Sequence, residues 1–192
     1  KKTPSQDPRL TITGPNLVII PEYKMADESS KKSGLKLFTS TIRRGSPDYL
    51  DPKLNCHSKL HEVQALVQAI EAGADEALML DINGFVSTCN STNFFMVKDG
   101  IVITSTDQYC MNGITRQKII DLCVENNMPV VERNFSLYDV YDADECFVTG
   151  TFAGISPVIS IDGRTIENKS NNEISETLSI LYKKLISDYV RK

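Results

Sequence analysis

The apolar residues of this chain change their spacing partway along, and that change leaves few folds open. Over residues 58–72, Leu60, Val63, Leu66, Val67 and Ile70 recur every three to four positions, the period of one helix face. From residue 76 onward the pattern breaks into short apolar runs at 76–81, 85–88, 93–97 and 101–104. Asn83-Gly84 and Asp99-Gly100 separate these runs. Such dipeptides accept the positive φ that tight hairpins require. The middle of the chain therefore predicts a helix followed by an antiparallel meander. Ser58 is the expected N-cap and Gly73 the expected stop.

Similar reasoning covers the rest. A second helix is expected over 115–126, with Ile119, Ile120, Cys123 and Val124 on one side. Short strands are expected at 16–20, 35–42, 130–131, 146–148 and 158–161, with a helical turn at 136–142. Ile174, Leu178, Leu181, Leu185 and Tyr189 mark an amphipathic terminal helix. Residues 1–14 read as a polar tail, and 25–34 as a polar loop. The class is α+β.

Composition removes several alternatives. Hydrophobic residues make up 41% of the 192, enough for a core, and the net charge is −4. A mildly acidic chain lacks the basic footprint of a nucleic-acid binder. No apolar run approaches a membrane span, so no membrane partner is expected. The opening residues carry no apolar signal-peptide core and no initiator Met, which reads as a processed or truncated chain. Five cysteines, at 56, 89, 110, 123 and 146, form no CxxC pair. Scattered and odd in number, they read as reduced, packing thiols in the cytoplasm or another reducing compartment.

Two short segments have the chemistry to hold a phosphate. In Met111-Asn112-Gly113-Ile114-Thr115-Arg116, Gly113 permits a sharp turn into a helix. The N–H groups of Ile114 and Thr115 then point at an anion, and the Thr115 hydroxyl adds a donor. In Thr149-Gly150-Thr151, after a buried strand, two hydroxyls and exposed N–H groups do the same. Taken singly, each is more often an ordinary helix start or turn. His57 and His61 are four apart, but no third ligand with a recognised metal spacing accompanies them. Arg43-Arg44 reads as a surface pair or as a clamp for a substrate carboxylate.

In order, these segments become more specific. The stretch Asn90-Ser91-Thr92-Asn93-Phe94-Phe95, then Val102-Ile103-Thr104, then Met111 to Arg116, resembles the signature of the class IV aminotransferases. These are pyridoxal-phosphate enzymes of fold type IV, and they include the branched-chain amino acid aminotransferases. The run from Glu71-Ala72-Gly73-Ala74-Asp75-Glu76 through Asp81-Ile82-Asn83-Gly84 is also similar to that family, as is the run from Thr149-Gly150-Thr151 to Ser156-Pro157-Val158. The resemblance covers about residues 8 to 165.

It implies the C-terminal, cofactor-binding domain of a fold type IV protein at 46–192. Residues 1–45 would then be the end of the N-terminal domain and a linker. The cofactor implied is pyridoxal 5'-phosphate, held through Ile114, Thr115, Gly150 and Thr151. The reaction implied moves an amino group between an amino acid and a 2-oxo acid, in a homodimer. Two positions depart from the family. The Schiff-base lysine of its "DP-x-x-K" stretch falls on Asn55, counting from Asp51-Pro52, and the glutamate beside the pyridine nitrogen falls on Thr88. An amide cannot replace a lysine amine. Lys53, reached by a two-residue bulge, and Lys59, four residues downstream, are the catalytic candidates, unless both are solvated surface lysines. The alternative is a divergent, lysine-less member acting as a cofactor-binding or scaffold protein.

Overall fold

The computed structural model describes residues 7–10, 17–23, 33–166 and 173–190. Period-two alternation lets each strand serve two cores at once. The strands are β1 (Leu35–Thr39), β2 (Glu76–Leu80), β3 (Val86–Cys89), β4 (Asn93–Lys98), β5 (Ile101–Thr104), β6 (Val130–Glu132), β7 (Glu145–Gly150), β8 (Gly154–Ile161) and β9 (Arg164–Thr165). They form one sheet in the order β3-β2-β1-β8-β7-β4-β5-β6, with β9 beside β8. β1 runs parallel to β2 and β8, and β5 parallel to β6, while the other pairs are antiparallel.

The sheet curls until its ends meet. Val86 N–H, on β3, donates to the Phe135 carbonyl just past β6. Ser87 Oγ donates to the Tyr109 carbonyl, and Ser105 Oγ to the Ser87 carbonyl. Inside the curl one cluster gathers Leu37, Leu78, Leu80, Val86, Phe94, Met96, Ile103, Cys146, Val148, Val158 and Ile161. The intervening residues face outward: Phe95, Val97 and Phe147 pack under two helices, and Ala77 and Met79 under a third.

The helices are α1 (Pro47–Leu50), α2 (Leu60–Glu71), α3 (Ile114–Glu125), α4 (Leu137–Tyr141) and α5 (Glu173–Val190). α3 and α5 cover β4, β5, β7 and β8, and α2 covers β1 and β2. No described helix is long and apolar enough to cross a membrane.

Five expectations need correction. The four runs at 76–104 form two separate hairpins, β2–β3 and β4–β5, rather than one meander, because β3 and β4 are not neighbours in the strand order. The segment at 16–20 is no buried strand: Leu17, Val18, Ile19 and Ile20 are all exposed and unpaired in any described sheet, and Asn16 lies outside the described residues. Helix α2 starts one residue late, with Lys59 rather than Ser58 as N-cap and no side-chain cap bond. Its apolar stripe also faces away from the sheet. Leu60, Val63, Val67 and Ile70 are exposed, while Ala65 and Ala69 are fully buried against Ala77 and Met79. Small side chains let the helix lie close to the sheet, and the large ones are left outside. On α3, Val124 is exposed, whereas Ile119, Ile120 and Cys123 are buried as expected.

Gly73 does end α2, at φ +76°. The loop expected at 25–34 and the tail at 1–14 lie mostly outside the described residues. β1, read from sequence within the segment 1–45, runs between β2 and β8 in the common sheet.

Candidate functional site

A cleft opens where β3 turns into β4. Its walls include Arg44, Leu54, Lys59, Glu62, Thr88, Asn93 and Met111. Thr88 is opposite Met79 in the β2–β3 pair, so it faces the side of the sheet on which Met79 packs under α2. Its hydroxyl donates to the Thr92 carbonyl at 2.8 Å, which leaves the cleft a lone pair and no hydrogen.

Arg44 lines the cleft. It is 5% exposed and fully engaged. Nε donates to the Tyr109 carbonyl, Nη2 to the Pro52 carbonyl, and Nη1 to Glu62 Oε1 at 2.7 Å. Arg43 is exposed and donates to the Ser40 carbonyl. The pair therefore splits into one surface residue and one buried tie. His61 Nε2 lies 3.4 Å from Arg44 Nη1. Burial, reinforced by Arg44 and Lys59 and opposed by Glu62, lowers the pKa of His61, so its neutral ring can accept from the guanidinium. His57 is exposed.

The two glycine corners come together on one dipeptide. A Cβ on Gly113 would collide with Asn93 Oδ1, and one on Gly150 would stand 3.4 Å from Thr92 Cγ2. Asn93 is also the sheet partner of Thr149. Asn93 Nδ2 donates to the Met111 carbonyl at 2.9 Å and so fixes the turn into that helix.

These residues fit an anionic ester. Gly113, the N-cap of α3, makes no side-chain cap bond, and no acidic residue lies in the first turn. Arg116 is buried there, its guanidinium paired with Glu132 and donating to Asn112 Oδ1 and the Ser105 carbonyl. The first N–H groups of a helix have no partner within it, and its positive dipole end favours an anion. Thr149 Oγ1 is buried with no hydrogen-bond partner.

The loop at 90–92 is held from below. Glu76, 6% exposed, accepts from Ser91 N–H, Ser91 Oγ and Thr92 Oγ1 at 2.8–3.0 Å. Ala77 N–H donates to Asn90 Oδ1. Burial raises the Glu76 pKa, against the lowering effect of the Ser91 and Thr92 donors. A carboxyl raised above its unfolded value contributes most stability below that value and loses it as pH rises through the folded one. Glu76→Gln lacks this titration. The stability of the unmodified protein relative to Glu76→Gln is expected to fall from pH 4 toward neutrality and then level off. Thermal melts across pH 4–8 check this, and a difference that grows with pH would refute it.

The proposed site residues fall into distinct places. Gly150 lies at the corner on Thr92, while Thr151 is exposed beside it and Ile114 is exposed at the helix start. Thr115 is 2% exposed, its hydroxyl 3.3 Å from the phenol oxygen of Tyr182. Lys59 lines the cleft and is itself exposed. Lys53 and Asn55 are exposed on the preceding loop and do not line it. The sequence reading missed Glu76, Asn93 and Tyr182. The available signal for Glu76 was a carboxylate heading a strand whose other residues are all apolar. Of the cysteines, Cys89, Cys110, Cys123 and Cys146 are buried and free, and burial raises each thiol pKa, that of Cys123 to about 11.

The family model described as amino-transferase class IV matches residues 2–161. Branched-chain-amino-acid aminotransferase-like protein 1 of Arabidopsis thaliana is 38% identical over 188 residues, covering 98% of this chain and 34% of that protein. A putative branched-chain-amino-acid aminotransferase of Methanocaldococcus jannaschii is 42% identical over 153 residues, covering 79% of this chain and 53% of that protein. The branched-chain amino acid aminotransferase from Thermobaculum terrenum, solved in its PLP form, has a TM-score of 0.77 at 27% identity, over 82% of this chain and 53% of that one. The Escherichia coli enzyme gives 0.76 at 30%, over 79% and 52%. The chain spans about a third to about half the length of these relatives.

Proposed function

This chain belongs to the class IV amino-transferase family, and on that premise we propose that its two glycine corners and the cleft beside them bind pyridoxal 5'-phosphate. Its α+β fold is that of part of a fold type IV aminotransferase. The reaction proposed is amino-group transfer between an amino acid and a 2-oxo acid, of the branched-chain type. The partners are those two small molecules and a second copy of the chain. The observation that carries this reading is the meeting of Gly113 and Gly150 on Thr92 and Asn93.

On this reading the N–H groups of Ile114 and Thr115 and the Gly150-Thr151 corner hold the phosphate. Thr88 offers an acceptor to the ring nitrogen in its protonated form. The cofactor, when bound, supplies an electron-withdrawing ring and a carbonyl carbon for the amino group. Lys59 is the amine that faces the cleft, and it holds or moves the proton exchanged at the substrate carbon. Lys53 and Asn55 take no part.

Titration of the protein with pyridoxal phosphate, followed by absorbance, borohydride reduction and peptide mass mapping, tests both statements. Saturable binding with the label fixed on Lys59 is expected. Saturable binding with no labelled lysine would favour the lysine-less alternative. Label spread over surface lysines in proportion to exposure, or no binding, would overturn the reading.

A further inference from the structure

Tyr182 lies on α5, beyond the residues matched by the family model. It lies beside Thr115 and beside Gly154, four residues past Gly150. Its phenol oxygen stands 3.3 Å from Thr115 Oγ1, and its ring edge lies 3.3 Å from where a Cβ on Gly154 would be. Gly154, at φ +72°, pairs with Gly150 and closes the turn from β7 to β8. One aromatic side chain therefore lies against the start of α3 and against the strand partner of Gly150.

The position of this ring is fixed on both sides along its helix. Ahead of it, Ile174 N–H and Ser175 N–H donate to the Glu145 carboxylate on β7. Around it, Leu178, Leu181 and Leu185 pack on the outer core.

A threonine hydroxyl has one hydrogen and two lone pairs. A phosphate dianion has only acceptors. When Thr115 gives its hydrogen to such an anion, its oxygen can only accept from Tyr182. We propose that Tyr182 is a positioning residue for the phosphate. Its phenol hydrogen occupies a lone pair of Thr115 and turns the threonine hydrogen toward the anion, while its ring holds the Gly154 turn. This rests on the phosphate reading above and goes beyond it, because no part of α5 enters that reading.

The test compares pyridoxal phosphate with pyridoxal, which has the same ring and no phosphate. Tyr182→Phe keeps the ring on Gly154 and removes one oxygen. It is expected to raise the Kd for pyridoxal phosphate about fivefold and to leave that for pyridoxal unchanged. In a Thr115→Val background, adding Tyr182→Phe is expected to change neither value. Suppose the unmodified protein prefers the phosphate ester and Tyr182→Phe retains that preference in full. The role of Tyr182 is then overturned and the phosphate reading stands. Equal affinity of the unmodified protein for the two aldehydes removes the phosphate site, and the proposal with it. An equal loss for both in Tyr182→Phe would make the contact merely structural and would also overturn it.

Discussion

Arg44→Met is expected to destabilise the fold by about 3–5 kcal/mol, the usual cost of removing one partner of a buried ion pair. Arg44 and Glu62 have side chains only 6% and 13% exposed, and they meet at 2.7 Å. Methionine fills much of the same volume, so packing alone does not carry the loss. It leaves Glu62 Oε1 without its guanidinium and the Pro52 and Tyr109 carbonyls without their Arg44 donors. These acceptors lie on three separate segments around the cleft, and the guanidinium ties them together. Arg44→Lys supplies a single point donor for three divergent acceptors, so it should recover only part of the loss. Urea unfolding measures both variants. A loss under about 1 kcal/mol for the methionine variant would show that water already satisfies these groups.

The role of Arg44 illustrates what the residue pattern withheld. A dibasic pair at a strand end carries no sign of which arginine turns inward, because its acceptors are distant in sequence. By contrast, several local signals held. Asp99 and Gly100 take φ +49° and +77°, as the hairpin reading required. Ser136 forms a capping box with Asp139 at the start of α4. The motifs that carry the resemblance lie along the sheet strands and around the cleft.

Periodicity gave the helix at 60–71 but not its orientation. An amphipathic stripe shows which residues share a face, and it does not show what that face meets. Here Ala65 and Ala69 meet the sheet, and the larger residues stay exposed. The identity of the cleft lysine was similarly out of reach. Lys53, Asn55 and Lys59 lie within seven positions of one another, and only the fold of the loop ahead of α2 separates Lys59 from the rest.

Glu145→Met should show the second large effect, a loss of about 2–4 kcal/mol. Glu145 is fully buried on β7, where its two oxygens accept from Ile174 N–H at 3.2 Å and Ser175 N–H at 2.9 Å. These donors belong to the first turn of α5, whose N–H groups have no partner within the helix. The carboxylate thus caps the helix from a strand, and its charge opposes the positive end of the helix dipole. Methionine would remove the carboxylate that accepts from both N–H groups. Glu145→Gln keeps one acceptor oxygen and should cost about half as much. Because α5 carries Tyr182, the effect should extend to the cofactor corner. Amide exchange in α5 is expected to speed up in Glu145→Met, and affinity for pyridoxal phosphate to fall at least as far as in Tyr182→Phe. If α5 exchanges as slowly as before and stability changes by less than about 1 kcal/mol, the helix is held by its apolar face alone, through Leu178 and the leucines beside it.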